Sequence, residues 1–260
     1  MNVYRFDEER ARREKARKAQ EPQRPPSPRA VNLPDVILWL GGVMVVIHAV
    51  RSLLLPENLD RWVLALFAFW PEKYAAFFNL SPLALLSSIW GFVSYSLLHG
   101  GVTHIMFNLA WMAIFGTAVA RRFGTGRFLL LSALCAVGGA LAHLATNWGS
   151  PSPMIGASAA VSGHMALAIR FVYEFGGPLG VFRTNDPRAY FVPAQSLQKC
   201  FRDRQVQVFV GIWFGLNLII GLTSSAGAGA PASVAWQAHI GGFLAGLALF
   251  PLFDPVPRRR

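Results

Sequence analysis

The chain has 260 residues, 53% of them hydrophobic and only 14% charged, against about 25% charged in an average soluble protein. That balance excludes an ordinary soluble domain and points to a polytopic membrane protein. The net charge of +11 does not indicate a nucleic-acid surface, because it is gathered at the ends: residues 1–30 hold nine Lys/Arg and the last three positions are Arg258, Arg259 and Arg260. No Asp or Glu lies between Lys73 and Tyr173, or between Arg204 and Phe253.

Residues 1–34 read as a basic, Pro-rich cytoplasmic tail. About 30 polar residues precede the first apolar run, so no secretory signal is expected there. Asp7, Glu8, Glu9, Glu14 and Glu21 interrupt the basic residues and count against a mitochondrial presequence. Crossing the hydrocarbon takes about 20 apolar residues, and six windows qualify: 35–54, 95–119, 127–146, 157–174, 206–223 and 236–253. The expected fold is therefore an all-α membrane protein, a six-transmembrane-helix bundle over 35–253. The fourth window is rich in small and polar residues, so it should pack inside the bundle.

The first loop, 55–94, is aromatic and interrupted by prolines and charges; short helices lying in the membrane interface fit it best. The loop at 175–205 is rich in Gly, Pro and Arg and reads as irregular. A short basic tail, 254–260, follows the sixth window. With a cytoplasmic N-terminus, the inside segments hold 21 of the 24 Lys/Arg, leaving only Arg51, Arg61 and Lys73 outside. This asymmetry puts both termini in the cytoplasm. Cys135 and Cys200 fall in a span and a distant loop, too far apart in character for a disulfide or a zinc site.

Against this apolar background a few capable polar side chains stand out. His99, His104 and Asn108 open the second window, Gly156 and Ser158 open the fourth, and His239 lies one turn into the sixth. All three windows run inward, so these residues share one depth near the outer face. Intramembrane ionisable groups are costly enough to mark a site by default. An alkyl hydroxyl attacks only when a base takes its proton, and His239 is the natural base for Ser158. With no carboxylate in the membrane core, a Ser–His dyad is expected rather than a triad. His104 and Asn108, at i and i+4, share a helix face. They are expected to serve a developing oxyanion together with the Ser158 N–H at a helix N-terminus. The groove of Ala238, Gly242 and Gly246 would bring His239 close to the serine's helix. His48, His143 and His164 read as structural hydrogen-bonders.

The motifs His99-x4-His104-x3-Asn108, Gly156-x-Ser158-x4-Gly163 and Ala238-His239-x-Gly241-Gly242 resemble, in order and spacing, those of the rhomboid intramembrane serine proteases of the six-span bacterial type. The resemblance covers residues 35–253. It implies Ser158 as nucleophile, His239 as base, His104, Asn108 and Gly156 around the oxyanion, and His99 as a supporting residue at the outer mouth. It also implies an inner-membrane enzyme without metal or cofactor that cleaves transmembrane segments of other membrane proteins near their outer ends. Span 5 and the loop 224–235 would act as lateral gate elements. Three positions depart from the family pattern: Ala159 where Gly is usual, Ser162 where an aromatic often stands, and Trp90-Gly91 for a Trp-Arg pair. The alternatives are a catalytically inactive rhomboid-like protein and a small transporter or channel. Against the latter, the polar groups stay at one depth, whereas a transport path needs them at several.

Overall fold

The computed structural model describes residues 32–179, 186–226 and 234–257. Most of the basic N-terminal tail, the 227–233 part of the expected gate loop and the terminal arginines lie outside the described residues. The regular elements described in the unit beginning at Leu33 are all helices. Among the described residues the only β-type pairing is an isolated antiparallel bridge between Phe69 and Met154.

Helix α1 (Asp35–Ala49) continues through a π-turn, Val50–Leu54, over the extent expected for the first window. The first loop then folds into α2 (Glu57–Phe67), a single turn at Glu72–Ala75, and α3 (Pro82–Ser94) with a 3-10 turn at Tyr95–Leu97. Ser81 caps α3, its side chain accepting from the Ala84 N–H, and Pro82 occupies the first turn, where a missing N–H costs nothing. Hydrogen bonds tie the loop together. Trp90 Nε1 donates to Leu66 O at 2.7 Å, Lys73 Nζ to Ala65 O at 2.6 Å and to Ser87 Oγ at 2.7 Å, and Tyr74 OH to Ser88 O at 2.6 Å.

The second window starts later than expected. Residues 95–97 belong to the end of α3, and Gly100-Gly101 separate them from α4 (Val102–Trp111). His99 consequently sits in the connection and not on the helix. A π-turn, Met112–Gly116, leads into α5 (Thr117–Thr146), which is broken at Gly124 with φ 77° and ψ 165°. The turn expected over 120–127 thus contracts to one glycine, the residue that adopts positive φ without steric cost. The chain doubles back there: a methyl on Gly116 would lie 3.4 Å from the Phe128 ring.

The fourth window is also shorter than expected. Helix α6 ends at Ala168 and residues 169–174 form turns. Its 11 residues span only about 16 Å, roughly half the hydrocarbon thickness. Residues Ala159 to Ala168 are all buried, so the protein, not lipid, surrounds this helix. The 175–205 segment, expected to be irregular, contains a 3-10 turn at Pro187–Phe191 and a helical turn at Leu197–Cys200. Helices α7 (Arg204–Ala226) and α8 (Trp236–Phe253) complete the fold. α7 extends the expected fifth window at both ends, and α8 matches the sixth. By length and apolar character Asp35–Leu54, Val102–Thr146, Arg204–Gly221 and Trp236–Phe253 can cross a membrane; the Gly124 break divides the second into two arms.

Helices α5, α6 and α8 meet almost backbone to backbone. A methyl on Gly242 would stand 2.0 Å from Ala159 O, one on Gly246 2.5 Å from Gly163 O, one on Gly163 2.3 Å from Cys135 Sγ and one on Gly241 2.4 Å from Gly138 O. Small residues permit this approach, and van der Waals contact at that range holds membrane helices together where no hydrophobic force does.

At the opposite end of the bundle from the α6 N-terminus, Arg122, one of the Lys/Arg of the inside 120–127 turn, is fully buried. Its guanidinium donates to both Asp254 carboxylate oxygens, at 2.8 and 3.0 Å, and to Tyr190 O and Val192 O. It also lies 4.5 Å from the Phe171 ring centroid. Cation, carboxylate and carbonyls satisfy one another, which is the condition for burying such a charge.

Candidate active site

The α6 N-terminus is held by its approach segment. Phe69 N–H donates to Met154 O at 3.1 Å, Met154 N–H returns to Phe69 O at 2.8 Å, and Gly156 N–H donates to Tyr95 O at 3.0 Å. Tyr95 is itself anchored, its hydroxyl donating to Ala136 O on α5 at 2.9 Å. Gly156 then turns the chain at φ 119°, so that Ser158 becomes the first residue of α6. A helix's first N–H groups have no intrahelical partner; those of α6 open beside the Ser158 hydroxyl.

His239, on the first turn of α8, faces Ser158. Its Nε2 lies 2.7 Å from Ser158 Oγ, a contact joining residues 81 apart in sequence. Both side chains are half-buried, reachable yet shielded. On the other side of the ring, Nδ1 meets Asn217 Oδ1 on α7. The Asn217 amide is oriented by its own Nδ2, which donates to Trp213 O at 2.7 Å. Its oxygen is thereby turned to His239 Nδ1. Asn217 was absent from the residues singled out in the sequence. The signal was present: a lone amide in the apolar run Trp213–Gly221, the same kind of anomaly that drew notice to Asn108.

His104 closes the other side. Gly100 N–H approaches its Nδ1 at 3.4 Å, which leaves the ring proton on Nε2. That Nε2 abuts Gly156: a methyl there would stand 2.6 Å from it, and 3.7 Å from Ser158 Oγ. Asn108 is buried, and its Nδ2 donates to His104 O at 2.9 Å; its second amide hydrogen remains. Among the described residues no hydrogen bond links Asn108 to Ser158 directly. His99 is buried with its ring edge-on to His104, centroids 5.1 Å apart. Its carbonyl accepts from Arg51 at 3.1 Å and pairs with His48 Nδ1 at 3.3 Å. Arg51 is in turn paired with Asp60 at 2.7 Å.

A second Ser–His pair, Ser132 with His164 at 2.8 Å, lines a cavity of about 150 Å³ with Leu40, Met44 and Val161. It is a poor candidate, because the Ser132 hydroxyl already donates to Phe128 O at 2.7 Å and cannot also give its proton to the imidazole.

The model of the rhomboid domain matches residues 86–254, well over half of the chain and including every motif described. The chain belongs to the rhomboid family. Among curated relatives, rhomboid protease GluP of Bacillus subtilis is 38% identical over 74 residues, 28% of this chain and 14% of its own length. Rhomboid protease GlpG of Haemophilus influenzae is 42% identical over 45 residues, 17% of this chain and 23% of its own. GlpG of Yersinia pestis is 32% identical over 96 residues, 37% of this chain and 31% of its own. The chain therefore spans less than a third of each of these relatives.

In this rhomboid the departures from the family pattern have local explanations. The Ala159 methyl points to α5, where a methyl on Gly139 would collide with it at 2.4 Å, so it does not narrow the space beside Ser158. Ser162 Oγ donates to Ser158 O at 2.8 Å and stays within its helix. Gly91 packs toward Ala68 O, 3.5 Å from a methyl placed there, while Trp90, Lys73 and Tyr74 anchor the first loop.

Proposed function

We propose that this chain is an intramembrane serine endopeptidase with Ser158 as nucleophile and His239 as general base. The observation that carries the reading is the 2.7 Å approach of His239 Nε2 to Ser158 Oγ. His239 Nε2 takes the hydroxyl proton as Oγ attacks a peptide carbonyl, then returns it to the leaving amine; the same imidazole activates water for deacylation. The oxyanion is met by the Ser158 N–H, by His104 Nε2–H and by the remaining Asn108 hydrogen. Such donors act where charge develops. Gly156 supplies the space for this, and His99 supports His104. The chemistry uses no metal or organic cofactor.

The substrates are membrane-spanning segments of other proteins, partly unwound because a helix conceals its own carbonyls, and cut near the outer face. Both termini are cytoplasmic in this reading, with six spans counted by dividing Val102–Thr146 at Gly124 and adding the short α6. α7 forms the lateral entrance. An inactive family member is the rival account, and a transporter the more distant one.

The deciding experiment uses the purified chain on a model transmembrane substrate, alongside labelling by a serine-reactive phosphonate. Wild type should cleave and label, and Ser158→Ala should do neither while remaining folded. Cleavage by Ser158→Ala at the wild-type rate would sink the assignment, and a wild type that neither cleaves nor labels would favour the inactive account.

A further inference from the structure

Ser158 meets one nitrogen of the His239 ring, and the other nitrogen makes a second contact. We infer that Asn217 is a positioning residue for catalysis, the third member of a Ser158–His239–Asn217 relay contributed by α7. This rests on the proposed roles of Ser158 and His239 and adds to them what sets the tautomer of the base.

An imidazole can act on Ser158 from Nε2 only if its single proton sits on Nδ1, and which nitrogen is protonated follows from the hydrogen bond the other makes. Asn217 Oδ1 faces Nδ1 and can only accept. The amide is prevented from presenting its NH2 group instead, because Nδ2 is engaged by Trp213 O at 2.7 Å one turn earlier on α7. The chain of donors and acceptors from Trp213 O to Ser158 Oγ therefore has one self-consistent direction. In the other tautomer, Nδ1 and Asn217 Oδ1 would be two acceptors in contact.

The helix carrying Asn217 is fixed to α8 around this point. Trp213 stacks on Phe243 with centroids 4.8 Å apart, and Gly221 lies so close to Trp236 that a methyl would stand 2.3 Å from its Cδ1. One contact lies below Asn217 and one above it, so the amide oxygen is held at the height of His239. The other groups around the base are Ser158 on α6 and, beyond Gly156, His104 on α4. No carboxylate lies between Arg204 and Phe253, and a neutral amide therefore does the orienting.

The test compares wild type, Asn217→Ala and Asn217→Asp in the full chain, measuring kcat and KM for a model transmembrane substrate across pH. Asn217→Ala should lower kcat about 10- to 100-fold, the scale of one buried hydrogen bond lost from an oriented base, with KM little changed. Asn217→Asp should retain cleavage and move the acid limb of the kcat profile to higher pH by about one unit or more, because a carboxylate stabilises the imidazolium. A purely structural amide would alter thermal stability in both variants and leave the pH profile in place. Wild-type kcat in Asn217→Ala, or an unmoved acid limb in Asn217→Asp, overturns the assignment. Should either variant fail to fold, 15N spectra of the histidines in the wild-type protein decide: a His239 proton on Nδ1 supports the relay, and one on Nε2 refutes it. Cleavage by a parallel Ser158→Ala sample would instead count against the underlying protease reading.

Discussion

Single atoms decide whether Ser158 can work. Gly156 is under two independent constraints, a backbone at φ 119° and a Cα so close to His104 that a methyl would stand 2.6 Å from Nε2. Gly156→Ala should therefore abolish proteolysis. It should also destabilise the fold by more than about 1 kcal/mol, the usual minimum for Ala at positive φ. Cleavage of a model substrate and thermal unfolding of the purified variant check the two effects separately. Wild-type activity would mean that the carbonyl oxygen of the substrate does not sit between Gly156 and His104. Ala159 shows the opposite case: its methyl is absorbed by Gly139 on the neighbouring helix.

At the scale of elements, the apolar windows were legible because hydrocarbon imposes a length and a composition on whatever crosses it. Trp236–Phe253 is found where hydrophobicity placed it. Where protein rather than lipid surrounds the chain, that pressure is absent and the boundaries drifted. α6 stops at Ala168, six residues short, since a helix buried on all sides need not match the bilayer. The order of His104, Asn108, Ser158 and His239 could be read, because each is a polar residue in an apolar window. Asn217 carried the same mark but had no partner nearby in sequence, and only the pairing of α7 with α8 gives it one. The burial of Arg122 could not be read for a related reason: its neutralising carboxylate, Asp254, lies 132 residues away. Removing one partner of a buried pair typically costs about 3–5 kcal/mol. Asp254→Ala should accordingly lower the unfolding midpoint in detergent markedly. Combining it with Arg122→Met should recover much of the loss, whereas two additive losses would mean that the contact contributes nothing as a pair.

For the whole molecule, the asymmetry of Lys and Arg is the strongest guide to orientation. If it governs insertion, a cysteine at exposed Ser152 should react with an impermeant maleimide in intact cells, and one at exposed Gln198 only after permeabilisation. Cys135 and Cys200 are both buried but should be replaced so that denatured chains do not contribute signal. The reverse pattern would invert the protein and place the cut on the cytoplasmic side of its substrates.

The short helix bearing Ser158 has a consequence for biosynthesis. At about half the bilayer thickness, α6 cannot settle in lipid as an independent segment, and its closest packing partner, α8, leaves the ribosome some 80 residues later. Nascent chains must hold this segment without that neighbour while the intervening residues are made. Ser158 therefore meets His239 only after α8 has been made, and a translation product that stops short of α8 lacks the pair.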